Sequence, residues 1–266
     1  MKMKVSEAAR YTGLENDTLR YYESVGIVSP YRDPESGYRI YNDWDLHFLT
    51  DSKWYRSFGM PLPDVVSIVR SDTLEELTAR CEKQSTALLH KIDDCQGKLM
   101  ALHTHLERIQ RIKYNLGMFT HSMSPAIIYQ RNQLDPSPEF MSKLRHWKNL
   151  FPHVNHTFAM NQDELRNLSP ESEPYFGFSL TTQNALKYHV EPKSPAQFFP
   201  SRQSLYTIFE ARGPGTFINS FRNQVLDPLK EQGQSIYGPV WGNLIVRYHE
   251  GSELFRFFEV WLPLDI

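Results

Sequence analysis

The sequence predicts an α+β multidomain chain: an N-terminal winged helix-turn-helix, a long coiled-coil dimerisation helix and a C-terminal mixed α/β domain. Three observations carry that prediction. Four prolines lie between Pro30 and Pro63, none between residues 64 and 124, and thirteen from Pro125 onward. An interior proline costs a helix about 3 kcal/mol, so the proline-free stretch is the place for an uninterrupted one. Within it, apolar residues recur in alternating steps of three and four. Beyond it, short runs rich in aromatic and β-branched residues are separated by turn residues, which is the pattern of strands.

The elements follow in order, with boundaries at 1–71, 72–118 and 124–266. Residues 1–28 read as two short helices around Gly13, with Ser6 able to cap the first and Asn16 or Asp17 the second. Two short helices around a Gly turn are the helix-turn-helix pattern. Residues 27–41, with Pro30, Pro34 and Gly37 between extended flanks, read as a β-hairpin or wing. Asn42 caps a further helix that ends at Gly59, and a shorter one follows Pro61 and Pro63. The long helix covers 73–116. Its seam runs Leu74, Leu77, Cys81, Gln84, Leu88, Ile92, Cys95, Leu99, Leu102, Leu106, Ile109, Lys113 and Leu116, a heptad pattern with one stutter. A small domain cannot bury so long a seam, so a second copy is expected to cover it, giving a homodimer.

In the tail, strands are expected at 126–130, 156–160, 175–180, 186–190, 204–210, 243–249 and 255–262. Helices are expected at 138–150 and 216–230, with Pro228 weakening the end of the second.

Composition narrows the functions available. With 29 Lys and Arg against 31 Asp and Glu, the net charge is -2, which excludes a broadly cationic surface as the means of any nucleic-acid contact. Two cysteines exclude a disulfide framework and a four-thiolate metal site within one chain. No apolar run approaches the roughly 20 residues of a membrane span, and the first residues lack the apolar core of a signal peptide. A soluble cytoplasmic protein without a membrane partner is therefore expected.

Two strings in the head are more specific. Thr18-Leu19-Arg20-Tyr21-Tyr22-Glu23 and, after a turn, Gly37-Tyr38-Arg39-Ile40-Tyr41 resemble the MerR family of winged-helix transcriptional regulators. The resemblance extends over residues 3–70 and, by position and type, over the long helix. It implies a dimer on double-stranded promoter DNA whose two polymerase elements are too far apart. Effector binding then distorts the spacer so that RNA polymerase engages both elements, making the protein an activator and not an enzyme. The expected DNA contacts are Thr18, Arg20, Tyr21 and Tyr22 on the second helix and Tyr38, Arg39 and Tyr41 on the wing. A helix in the major groove needs such reach to base edges and phosphates, and Thr18 sits near the positive helix N-terminus. Residues 1–70 hold nine Lys and Arg against ten Asp and Glu, so placement rather than total charge must supply the binding. The alternative is that Arg20 and Arg39 only pair with Glu7, Glu23 or Asp33.

For the effector, Cys81 and Cys95 lie on the seam and read as buried structural thiols. No cysteine follows Cys95, and His103/His105 and His153/His156 are ligand pairs by type only. Neither a metal nor a cofactor is expected. The strings LYTIFEARGP, YGPVWG and FEVWLPL instead resemble the GyrI-like effector-binding domains of multidrug-sensing MerR regulators, which implies lipophilic, cationic small molecules as ligands. Strand parity gives Glu259 a meaning of its own: Phe255, Phe257, Glu259 and Trp261 share one face of the final strand. A carboxylate among aromatics is costly to bury unless a cation joins it, and aromatic faces add about 0.5–2 kcal/mol of cation–π attraction. The expected cup is Glu259 with Phe257 and Trp261, walled by Trp147, Tyr206, Phe209 and Trp241, with Tyr175 and Tyr248 behind. Glu210 is a reserve carboxylate, and a salt bridge from Glu259 to Arg247 or Arg256 is the structural alternative. Sensing of a metal, oxidant or other metabolite, or hydrolase activity of the tail, are the competing functions. The tail has no Gly-x-Ser-x-Gly elbow, reactive cysteine or recognisable triad to favour the last.

Overall fold

The computed structural model describes residues 2–132, 138–169, 175–192 and 196–264. Two compact units divide the chain, Met1–Asp94 and Cys95–Ile266.

The first unit opens with β1 (Met3–Lys4), α1 (Val5–Thr12) and α2 (Asn16–Ser24), followed by β2 (Tyr31–Arg32) and β3 (Arg39–Tyr41). The three strands form an antiparallel sheet in the order β1-β3-β2. Lys4 pairs with Ile40, which fixes where α1 can start. The helix therefore begins at Val5, and Glu7, not Ser6, satisfies the free N–H of Lys4, at 2.8 Å. Likewise α2 starts at Asn16, with Glu15 rather than Asn16 or Asp17 in the flanking position. Between the helices Gly13 adopts φ 63°, the left-handed region that favours glycine. The Lys53 ammonium donates to the carbonyls of Thr12 and Gly13 at 3.0 and 2.9 Å, closing the end of α1. In the wing turn, Asp33 accepts from the backbone N–H groups of Glu35 and Ser36.

Asn42 caps α3 (Asp43–Ser57) through a reciprocal pair with Asp45, as its sequence predicts. After α4 (Leu62–Arg70) comes α5 (Leu74–Asn115), 42 residues long. At 1.5 Å per residue it measures about 63 Å. Thr73 and Glu76 cap its start reciprocally. Arg80 bonds Asp72 and Asp64, and Gln84 donates to the Phe58 carbonyl, tying its first turns to the unit. No described α5 residue is buried within the single chain. Cys81 and Cys95, which the seam places where a second copy is expected to cover them, are exposed in the single chain.

The second unit is built on an eight-stranded antiparallel sheet in the order β4-β9-β11-β10-β6-β7-β5-β8. Its strands are β4 (Thr120–Met123), β5 (Ile127–Arg131), β6 (Asn155–Met160), β7 (Tyr175–Thr181), β8 (Gln197–Phe199), β9 (Gln203–Arg212), β10 (Val240–Glu250) and β11 (Glu253–Pro263). Helices α6 (Pro138–Asn149), α7 (Gln162–Arg166) and α8 (Thr182–Lys187) connect them. The expected strand at 186–190 is instead the end of α8 and its exit, because the Thr181 hydroxyl caps the Asn184 N–H and starts a helix. The expected helix at 216–230 is three pieces: α9 (Phe217–Phe221), a π-helical turn (Arg222–Leu226) and α10 (Asp227–Glu231). Pro228 stands in the first turn of α10, where its missing N–H is harmless. The π-turn presents the Gln224 amide to β9, accepting from the Glu210 N–H at 3.1 Å and donating to its carbonyl at 2.7 Å. It thus satisfies backbone groups on the strand edge beyond the reach of β4.

Strand parity sorts the sheet into two faces. One carries Phe158, Phe209, Phe258, Val260 and Leu262 against Phe217 and Phe221 of α9. The other carries Tyr206, Ile208, Trp241, Phe257 and Trp261, against which Ile109 and Ile112 of α5 pack. Gly242 in β10 lies where a Cβ would sit 2.1 Å from the Glu259 carbonyl oxygen and 2.6 Å from the Phe158 ring. Only glycine admits that approach.

Candidate DNA interface and effector site

The head holds its polar surface on a small core of Ala8, Leu19, Tyr22, Ile27, Val28, Tyr41, Leu46 and Leu49. From α2, Arg20 projects with 60% of its side chain exposed and its guanidinium 3.4 Å from Asp17. Tyr21 beside it is 55% exposed. On the wing, Tyr38 is 61% exposed, with the Lys4 ammonium 5.5 Å from its ring centre. Glu23 joins helix to wing: its carboxylate accepts from Arg39 Nε at 2.5 Å and from Arg32 at 2.9 Å. Burial pushes Glu23 towards higher pKa, and the hydrogen bonds from Arg39 and Arg32 outweigh it, leaving the group below its ordinary value.

In the tail, Glu259 is 1% exposed and surrounded by donors. Asn243 Nδ2, directly across the strand pair, donates to Oε1 at 2.8 Å. The Tyr206 hydroxyl donates to Oε2 at 3.3 Å. Burial, and then the negative charge of Glu259, raise Tyr206 above its usual range, with Arg111 opposing, so the phenol keeps its proton and remains a donor. The Asn243 carbonyl oxygen accepts from Thr157 at 2.7 Å, and Thr157 and Ser179 hydroxyls lie 2.6 Å apart. A polar row therefore runs across five strands, β9, β11, β10, β6 and β7. The charge partner comes from α5: Arg108 Nε is 3.4 Å from Glu259 Oε1, and Arg108 Nη1 donates to Asn155 Oδ1 at 2.6 Å. Around the row the Trp241 and Trp261 rings stack at 4.4 Å, and Tyr206 lies 5.3 Å from Trp261.

The model for MerR helix-turn-helix regulatory proteins matches residues 3–72. An HTH-type transcriptional regulator of Pseudomonas aeruginosa is 32% identical in an alignment 114 positions long that covers 36% of this chain and 86% of that protein. The chain belongs to the MerR family of DNA-binding transcriptional regulators. An HTH-type regulator of Synechocystis is 29% identical, over 43% of this chain and 77% of its own length. A crystal structure of a MerR-family regulator from Bacillus cereus is 23% identical, with 42% of this chain and 84% of that one aligned at a TM-score of 0.37.

Within this MerR head, the structure brings Arg20, Tyr21 and Tyr38 to the surface and leaves Thr18 and Arg39 half-buried. Tyr22 and Tyr41 are corrections. Both face the core, and the Tyr41 hydroxyl is buried with no hydrogen-bond partner among the described residues. Tyr22 sits three residues after buried Leu19, on the inward stripe of α2, and Tyr41 faces inward at the end of β3. Tyr31 and Arg32 are exposed wing residues that the motif strings do not include.

In the tail, Tyr206, Trp241, Phe257 and Trp261 do share the face of Glu259. Phe209 does not: three residues from Tyr206 on one strand, it points to the opposite face. Trp147 belongs to a third cluster, with Ile128, Val154, Phe178 and Leu180. Tyr248 stacks on Phe255 and Phe257, and the Tyr175 side chain lies outside the described residues. The partner of Glu259 is neither Arg247 nor Arg256. Arg256 points to the other face, donating to the Gly213 carbonyl. Glu210 pairs with Arg212 at 2.8 Å. Asn243, Thr157, Ser179 and Arg108 are not singled out for the site by the sequence; the available signal is a polar residue at an inward position of an apolar strand for the first three and a place one step off the seam for Arg108. Among the described residues, no helix is long and apolar enough to cross a membrane, and no three His, Cys, Asp or Glu side chains converge as a metal site requires.

Proposed function

We propose that this MerR-family regulator is a ligand-responsive activator whose GyrI-like tail, residues 124–266, senses lipophilic cations at Glu259. The supporting observation is a carboxylate that is 1% exposed, flanked on its strand by Phe257 and Trp261, with its counter-charge on a helix outside the sheet. Burying an ion costs several kcal/mol unless a cation joins it, and the aromatic faces around this one favour an organic cation over a hydrated ion. The tail acts by binding rather than by catalysis.

The head reads promoter DNA through Thr18, Arg20, Tyr21, Tyr38 and Arg39, with Glu23 holding the wing against α2. Two heads act together in a homodimer. The reading is supported by Leu88, Leu99, Leu102 and Leu106, which stand uncovered along one seam of α5. Ligand binding changes the energy of bending and untwisting the promoter spacer, and RNA polymerase then engages both elements.

The test is a tryptophan-fluorescence titration with tetraphenylphosphonium, for which stacked Trp241 and Trp261 are the reporters. Glu259→Gln is expected to weaken binding at least tenfold. Equal affinity in the two proteins defeats the role assigned to the carboxylate.

A further inference from the structure

The site of Glu259 is already occupied, and its occupant describes the ligand. Arg108 faces two acceptors that the sheet supplies from different strands: its Nη1 donates to Asn155 Oδ1 on β6, and its Nε forms an ion pair with Glu259 Oε1 on β11 at 3.4 Å. A guanidinium does this because its N–H groups form a planar fork. A phosphonium or quaternary ammonium carries charge but no donor, so it cannot satisfy Asn155 and Glu259 together. Only 20% of the Arg108 side chain is exposed, so the fork is held in place rather than sampled from solvent.

We propose that Arg108 is an internal stand-in for the inducer, and that the preferred inducers are flat aromatic cations with amidinium or guanidinium donors. Such a ligand takes over both acceptors and lays its ring on the Trp241–Trp261 side, where the sheet face is aromatic. To enter, it displaces Arg108, and with it the contact of Ile109 and Ile112 against the sheet. The tethered guanidinium competes at all times, which lowers apparent ligand affinity by the fraction of molecules in which the site stands open. The inference rests on the reading of Glu259 as the cation site and adds to it the donor chemistry and the competitor. The released element, α5, is continuous in sequence from Leu74 to Asn115, so ligand occupancy is registered on the helix that enters the N-terminal unit.

The experiment uses the full chain with two probes, 2-naphthamidinium and tetraphenylphosphonium. Arg108→Ala is expected to bind 2-naphthamidinium at least tenfold more tightly than the wild type. It is also expected to melt lower, and ethylguanidinium at millimolar concentration should restore at least half of that loss. Tetramethylammonium should restore none, and Arg108→Ala combined with Glu259→Gln should not respond to either. Should Arg108→Ala fail to fold, Arg108→Lys takes its place, with intermediate affinity expected because a point charge reproduces only part of the fork.

Equal 2-naphthamidinium affinity in the wild type and the arginine variant overturns the proposal, as does equal rescue by tetramethylammonium. If tetraphenylphosphonium binding still depends on Glu259 in that case, the cation site stands and only the internal competitor falls. If neither probe depends on Glu259 in any variant, both readings fall.

Discussion

In the N-terminal unit Arg20, Tyr21 and Tyr38 stand in water, carried by a core to which none of them belongs. In the C-terminal unit Glu259 and Tyr206 lie inside the protein, and each polar atom is held by another. The difference fits what each surface is proposed to meet. Duplex DNA is large and charged and comes to the protein, so its contacts need reach and little support. The small organic ion proposed for the tail must be taken out of water, so its site needs aromatic walls and a counter-charge kept dry. Substitutions should therefore separate the two units: in the tail they cost stability, and in the head they cost binding.

The largest stability effect is expected at Gly242. A methyl group there meets the Glu259 carbonyl oxygen at 2.1 Å and the Phe158 ring at 2.6 Å, and neither backbone nor packed ring can move cheaply. Gly242→Ala should destabilise the tail by about 3 kcal/mol, the upper end for an overpacked interior, and calorimetry should show its transition at a lower temperature. An unshifted melting temperature would mean that this part of the sheet is loosely packed, and the comparison would lose its tail half.

Next in size is Arg20→Ala. With Arg20 60% exposed and paired with the 92%-exposed Asp17 at 3.4 Å, its removal should leave melting unchanged. Loss of one groove contact costs about 1–3 kcal/mol per head, so operator binding in a gel-shift or fluorescence-anisotropy assay should fall by at least tenfold. The remaining affinity should decline steeply with salt, as phosphate contacts require. Intact binding by Arg20→Ala would break the head half of the comparison.

The same contrast explains what was legible in the sequence. The head's surface is written in two local strings, because α2 and the wing each place their residues within a few positions of one another. Even there, Tyr22 and Tyr41 mislead, since a motif records a residue's presence and not the side of the element it faces. The tail was legible where a strand could be read alone: parity on β11 correctly groups Phe257, Glu259 and Trp261. Applied to β9, the same rule separates Tyr206 from Phe209. The partnership of Arg108 with Glu259 spans 151 positions, and the row through Asn243, Thr157 and Ser179 depends on the order β9-β11-β10-β6-β7. Non-consecutive strand order of this kind leaves no local trace in the chain. Trp147 is apolar and aromatic like the residues that share the Glu259 face, and only its position on α6, against Ile128 and Phe178, separates it from them.

The smallest effect tests a place where the head, too, keeps a charge partly dry. Glu23 is held below its ordinary pKa by Arg39 and Arg32 against the opposing pull of burial. A carboxyl whose folded pKa is depressed adds stability that is fully present above its unfolded value. That stability is lost as pH falls from there through the folded one. The wild-type head should therefore lose stability on acidification below about pH 4.5, while Glu23→Gln should be flatter in that range and weaker at neutral pH. Ion pairs of this exposure are worth about 0.2–1 kcal/mol, so the difference should be small in melting experiments. It should be clearer in DNA binding, because Arg39 and Arg32 lose the group that fixes the wing to α2. If Glu23→Gln binds DNA as the wild type does at pH 7, the wing is positioned by the β1–β3 pairing alone, and the carboxylate only neutralises its two arginines.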